Sequence, residues 1–362
     1  MKLNTFLGLV VLSVFSCGKP ISEPTGLNIL PLDSDADVIL SINAPVMPTR
    51  SHFRQKTKLG DYYIRLSRKG DVTAVNLVNN DVRIYRAYDE GPFAISYPCS
   101  VVLNDFGGAT VFGADMAVKI DSTGTSIERF TFGSSTSEVA PPSGYFMPMD
   151  PSYPIANDGD KVYLNLIKEG ADQFSFPFVY EGSAVGEIDL KNKTARSLNI
   201  PHDHRGVFYG GLHKENLKYF EGKLYVTFEF SPNIYIYDLN ENETTIIEQP
   251  SVFGQANQPF TGSSDPMSMI QHMSLNMAYG PLLFEEDGDY VYQTLLAPSL
   301  DKPGKTRVEA VRKFTKYFKL LKEGRLPKYS VPSNAYVAKG NLHFEYGRAS
   351  LGENSIYYRT LN

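Results

Sequence analysis

Short alternating runs of apolar and polar residues, punctuated by glycine and proline, set the pattern along most of this chain. The clearest unit starts at Phe220-Glu221-Gly222-Lys223-Leu224-Tyr225-Val226-Thr227-Phe228-Glu229-Phe230 and turns at Ser231-Pro232-Asn233. It continues through Ile234-Tyr235-Ile236-Tyr237-Asp238-Leu239-Asn240 and returns along Thr244-Thr245-Ile246-Ile247-Glu248. A period of two with turn formers at the reversals predicts strand, turn, strand, polar turn, strand. The unit repeats: an Asp/Glu/Lys–Gly turn leads into an alternating strand at Asp158-Gly159, Glu221-Gly222, Asp287-Gly288 and Lys339-Gly340. Strand–turn–strand pairs of the same form run through Val75–Tyr85 and Met116–Phe130, and Gly186–Thr194 is a second-half strand ending in a polar turn. The glycine landmarks recur about every 50–65 residues. That is the length of a four-stranded propeller blade, roughly 40–50 residues, plus loop insertions.

The pattern therefore predicts an all-β fold, a β-propeller of six or seven blades, with a pair of β-sandwiches as the competing architecture. The propeller is preferred because one loose repeat spans the chain with no clear linker inside it. One stretch reads two ways. Val311, Phe314, Phe318 and Leu321 fall at helical spacing with Gly324 as a C-cap, yet Phe318 to Leu326 also reads as strand, turn, strand.

The first residues break the pattern. Lys2 gives a short positive start, and Leu3 to Phe15 form a mostly apolar run that stops at Ser16-Cys17. The run has the length of a signal-peptide core and falls short of the roughly 20 residues of a membrane-spanning helix. Val14-Phe15-Ser16-Cys17 resembles a bacterial lipobox, in which a small residue precedes the cysteine that accepts the lipid. Phe15 is larger than usual for its position. The expected organisation is a lipoprotein signal peptide over 1–16, a Pro/Gly-rich tether over 17–35 and a β-propeller domain over 36–362. Cys17 is then the lipidation site, carrying acyl chains such as palmitate.

Composition adds three constraints. Tyr and Phe are abundant, 23 and 22 residues, and Trp is absent, which suits pleated half-buried surfaces. The net charge is −5 and no sustained basic stripe appears, so nucleic acid is not an expected partner. There are two cysteines. Acylation of Cys17 leaves Cys99 without a disulfide partner and reads it as a small buried hydrophobe; without acylation a Cys17–Cys99 bridge is the alternative.

Candidate chemistry is sparse. Three of the six histidines lie in His202-Asp203-His204 and at His213. A loop could converge His202, Asp203, His204 and His213 on a divalent metal, or present them to an anionic or sugar ligand. The plainer reading is a polar loop after the Arg196-to-Ile200 strand. No cofactor is predicted. Asp33-Ser34-Asp35-Ala36-Asp37 starts like a calcium loop but lacks its glycine and closing glutamate. Glu285-Glu286-Asp287-Gly288-Asp289 reads as a hairpin turn, and Phe106-Gly107-Gly108 as a tight turn or bulge. No G-x-S-x-G, P-loop or G-x-G-x-x-G is present. The aromatic segments Gly144–Met149 and Phe174–Tyr180 read either as packing between blades or as ligand-stacking loops.

Taken with the lipobox, Gly222-Lys223-Leu224-Tyr225 and Tyr235-Ile236-Tyr237-Asp238-Leu239 resemble a family of Bacteroidota lipoproteins known only as a domain of unknown function, related to six- or seven-bladed propeller lipoproteins. The resemblance extends to Ala278–Phe284 followed by Asp289–Tyr292, where Gln293 stands in place of an arginine, and to Lys339–Phe344. It implies fold and location and transfers no catalytic residue. It favours strands over Val308–Gly324. The expected function is a non-enzymatic binding or scaffolding lipoprotein of the cell envelope, placed on the outer membrane facing the periplasm, with an envelope protein, peptide or glycan as partner. The alternative is a propeller enzyme, a lactonase or glycan-processing hydrolase, with its site at the channel mouth.

Overall fold

The structure, a computed structural model, describes residues 38–41, 49–67, 70–79, 81–86, 91–95, 97–148, 155–169, 181–203, 207–210, 212, 214–251, 257–262, 265–285, 288–299, 307–327, 330–338, 340–346 and 355–361. Six four-stranded antiparallel sheets follow one another along the chain. Blade I comprises β2 (Thr49–Thr57), β3 (Gly60–Ser67), β4 (Val72–Asn76) and β5 (Val82–Tyr85). Blade II comprises β6 (Ser100–Leu103), β7 (Ala109–Phe112), β8 (Met116–Ile120) and β9 (Ser126–Thr131). A two-stranded ribbon of β10 (Tyr145–Phe146) and β13 (Ile167–Lys168) flanks blade III, which is β11 (Ala156–Asp158), β12 (Lys161–Asn165), β14 (Val185–Asp189) and β15 (Thr194–Ser197). Blade IV is β16 (Glu215–Phe220), β17 (Lys223–Phe228), β18 (Ile234–Asp238) and β19 (Glu243–Ile247). Helix α1 (Pro266–Leu275) precedes blade V, β20 (Ala278–Phe284), β21 (Tyr290–Pro298), β22 (Arg307–Thr315) and β23 (Leu320–Arg325).

The last blade closes the ring. β24 (Ser330–Ala338), β25 (Asn341–Tyr346) and β26 (Ser355–Leu361) supply three strands, and the outer one is β1 (Val38–Ser41), from the start of the described chain. Val38 pairs with Tyr358 and Ser41 with Ser355. Pairing the first and last described strands in one sheet closes the ring through backbone hydrogen bonds. The expected propeller is thus present with six blades, and Val308–Gly324 forms strands β22 and β23 with the turn between them.

Each blade is buried on both faces by its neighbours, so its central strands read as nearly continuous apolar runs. In β17 only Lys223 is exposed, whereas β19, at the outer rim, has Glu243, Thr245 and Ile246 exposed. The core is therefore distributed among the joints. Tyr62, Ile64 and Leu66 pack on Val101 and Val111 between blades I and II. Phe112, Phe130, Val162 and Ile188 fill the next joint, where Cys99 is buried. Tyr163, Leu217, Leu224 and Phe228 join blades III and IV. Polar side chains stitch the same joints: the Gln55 amide donates to Leu103 O at 2.6 Å and accepts from Leu103 N at 2.8 Å.

The first-to-second strand turn of every blade carries a glycine. At Glu221-Gly222 both residues have positive φ, 48° and 75°, the geometry of a type I′ hairpin whose twist matches the strands. Gly108 answers a different need. A Cβ there would collide with the backbone carbonyl oxygen of Ile120. Gly108→Ala is expected to cost about 1–3 kcal/mol, read as a lower denaturant midpoint at unchanged slope. An unchanged midpoint would show that the turn has room to spare.

Candidate functional site

An antiparallel meander sends alternate connections to opposite faces of the ring. The first-to-second and third-to-fourth strand turns, such as 159–160, 221–222 and 239–242, are tight and share one face. The second-to-third strand and blade-to-blade connections share the other. That face carries the longer connections, those from β9 to β11, β13 to β14, β15 to β16 and β19 to β20, the last holding α1. Functional side chains of scaffolded folds concentrate on such loops.

Of the four residues singled out around His202, the structure describes two. His204 and His213 lie outside the described residues, as does Cys17. His202 is buried, with Nδ1 3.3 Å from Glu215 Oε1. The other Glu215 oxygen accepts from Asn165 Nδ2 at 2.5 Å. Asn165 ends β12 and Glu215 begins β16, so this trio bridges blades III and IV at the long-connection face. Asp203 is engaged elsewhere. Its carboxylate accepts from the hydroxyls of Ser231 and Tyr235 and from Asn233 Nδ2 at 3.2 Å. His202 and Asp203 are thus committed to different neighbours. Among the described residues no three His, Cys, Asp or Glu side chains come together in a way that could hold a metal.

A second group on this face was not singled out from the sequence. Glu229 follows β17, and its backbone holds the joint to blade V: Tyr279 N donates to Glu229 O at 2.8 Å. Burial pushes its carboxyl up to about 7 against the pull of Lys214 and Arg307. Burial likewise raises Glu309 to about 7, opposed by Arg307. Arg307 itself is desolvated, which lowers its pKa, and donates from Nη2 to Asn276 O at 3.2 Å. Both carboxyls are thus raised by burial, with Arg307 opposing each shift, and a carboxyl so placed can exchange a proton at ordinary pH.

Helix α1 supplies the third feature. The Asp265 carboxylate caps it by accepting from Ser268 N at 2.9 Å, and Pro266 opens its first turn. It contains no Asp, Glu, Lys or Arg. One side packs on the loops through His272, whose ring meets Phe260 edge-on; burial lowers the His272 pKa. The other side exposes Met267, Ile270 and Leu275. Phe260 also meets Phe208, so an aromatic and methionine-rich cluster marks this side of the ring. By contrast the aromatic segment near Tyr145 packs internally: Tyr145 Oη accepts from Ser183 N at 2.9 Å, and Met147 is buried. Phe174–Tyr180 lies outside the described residues.

Ring, closure and one loop-bearing face together define a six-bladed β-propeller. Among solved structures the chain is similar to a member of the DUF4221 family from Bacteroides vulgatus, with a TM-score of 0.72 over 93% of this chain and 99% of that one at 14% identity. It is also similar to a Bacteroides fragilis protein described as exported, with a TM-score of 0.56 at 9% identity, covering 92% and 95% of the two chains. At these identities the likeness is one of fold. No family model matches the sequence, and no curated protein matches it. No described helix is long and apolar enough to cross a membrane.

Proposed function

We propose that this chain is a cell-envelope lipoprotein, acylated at Cys17, whose propeller offers its long-connection face to an envelope protein, peptide or glycan. The observation that carries this reading is the opposition of the two faces. β1 runs antiparallel to β26, so the chain reaches Val38 from the short-turn side. The uncharged helix α1 and the Phe208–Phe260 cluster lie on the other side. A tether over 17–35 then leaves the binding face turned away from the anchoring membrane, which for an outer-membrane lipoprotein of this type is the periplasmic direction. Neutral apolar side chains flanked by aromatics suit peptide and sugar faces.

Cys17→Ala is expected to move the protein from the detergent phase to the aqueous phase on phase partition; unchanged partitioning would end the lipoprotein reading. The binding half is tested by probing arrays of envelope glycans and peptides with Ile270→Asp beside the parent, where signal lost in the variant supports α1 as the contact. A second reading rests on Glu229, Arg307 and Glu309. A buried carboxyl that keeps its proton near neutral pH fits general-acid hydrolysis of a lactone or glycan. Turnover in such a substrate panel that falls in Glu229→Gln would favour it.

A further inference from the structure

The short-turn face carries an open groove of about 390 Å³ between blades I and II. Its walls combine two chemistries. Leu59, Ile84 and Phe106 are apolar; Arg83, Ser122 and Thr123 are polar. Phe106 is 85% exposed, Ile84 49% and Leu59 46%, and Val78, 84% exposed, stands on a neighbouring turn of the same face. Apolar side chains gathered on one face and rimmed by polar turns mark an interaction surface. Arg83 reaches across the joint, where a Cβ on Gly107 would meet its Nη1 at 2.8 Å, and within its own blade its guanidinium lies 5.6 Å from the Tyr62 ring centroid. Among the described residues no carboxylate pairs with Arg83. The nearby Asp121 carboxylate is turned into its own loop, accepting from Thr123 N at 2.8 Å and Thr125 N at 3.0 Å.

We propose that this groove docks on the surface of a bilayer containing anionic phospholipid, with Arg83 on a head-group phosphate and Phe106, Leu59 and Val78 in the acyl boundary. Two observations select that occupant. The chain reaches β1 at Val38 on this same face, so an anchor upstream would hold this face nearest the membrane. The net charge of −5 works against diffuse adsorption to an anionic surface, so attraction has to come from a local cation with apolar neighbours. The inference rests on the anchored reading for its geometry, and its test separates the two.

The chain contains no tryptophan, so Phe106→Trp places a single tryptophan, excited selectively above the tyrosine absorption, at the groove. The full-length Phe106→Trp protein is mixed with vesicles of phosphatidylglycerol and phosphatidylethanolamine, or of phosphatidylcholine alone, with Cys17 intact and with Cys17→Ala. A blue shift on anionic vesicles is expected, quenched by brominated acyl chains. Arg83→Gln should weaken the titration about fivefold, the worth of one basic group at such a surface. No shift while the acylated protein sediments with the vesicles overturns the docking and leaves the anchor standing. Equal sedimentation of the two Cys17 forms with phosphatidylcholine vesicles, which offer the groove no anionic head group, overturns the anchor, whereas the spectral shift on anionic vesicles still reports the groove. An equal shift on phosphatidylcholine, unaffected by Arg83→Gln, or the same shift produced by inorganic phosphate without vesicles, overturns the head-group assignment.

Discussion

Arg312→Ala is expected to lower the unfolding free energy by about 3–5 kcal/mol, the cost of removing one partner of a buried ion pair. Arg312 is the largest wholly buried side chain described, and its Nε lies 3.2 Å from Glu323 Oε2. The two face each other across β22 and β23, and Gln293 stands opposite on β21, its Oε1 3.5 Å from Arg312 Nη1. The network reaches beyond the blade. Arg312 Nη2 donates to Gln249 O at 2.8 Å, and the Ser251 hydroxyl donates to Glu323. The segment arriving from blade IV is thereby fixed to blade V. Arg312 also lies 5.1 Å from the Tyr279 ring centroid, adding a desolvated cation–π contact. Alanine would leave the Glu323 carboxylate buried without its countercharge and open a void beneath Tyr279. The double replacement Arg312→Met with Glu323→Leu should recover most of the loss, because an apolar pair of similar volume needs no desolvated charge. Urea denaturation of the two variants decides the matter. A single-variant loss below about 1 kcal/mol would mean that the pair is solvated or that the blade relaxes around it.

Blade architecture was legible because each strand–turn–strand unit is local. Glu221-Gly222 and Asp158-Gly159 mark hairpins whose pairing partners are their own sequence neighbours. Phe106-Gly107-Gly108 proves to be the corresponding turn of blade II. Joints between blades were not legible, since they pair residues remote along the chain. Grouping His202 with Asp203 followed sequence proximity, whereas the fold sets His202 beside Glu215 and hands Asp203 to Ser231, Asn233 and Tyr235. Glu229, Arg307 and Glu309 drew no notice because each is an ordinary charged residue at a strand end; only burial in a shared joint alters their chemistry. Helix α1 gave one local sign, the Asp265-Pro266 cap. Its methionines and Ile270 form no one-sided apolar stripe, because the helix rests on loops and leaves much of that surface exposed.

Raising the pH from about 5 to about 8 is expected to destabilise the protein through Glu229, and Glu229→Gln should flatten that dependence. Burial lifts the folded-state pKa of this carboxyl from 4.5 to about 7. Between those values the native protein keeps a proton that the unfolded chain has released. The native state then binds more protons, and unfolding stability falls as pH rises through the window. Below about 4.5 both states are protonated and the term vanishes; above about 7 it is fully expressed as a penalty. Its size for Glu229 is on the order of 3 kcal/mol, and Glu309 pulls in the same direction. Glutamine keeps the shape and loses the charge, so the variant should match the parent near pH 5 and exceed it near pH 8, with thermal midpoints recorded across the range as the measurement. Parallel profiles would show that water or a neighbouring cation already solvates the carboxylate. A protein that retains such a penalty at neutral pH keeps an uncompensated acid where blades IV and V meet, on the face with the long connections. Lys214 and Arg307 oppose the shift without cancelling it, so a further cationic group arriving at this joint would draw the proton off and relieve the strain. A rise in the stability of the parent, absent in Glu229→Gln, is therefore the sign by which a cationic ligand of this face would be known.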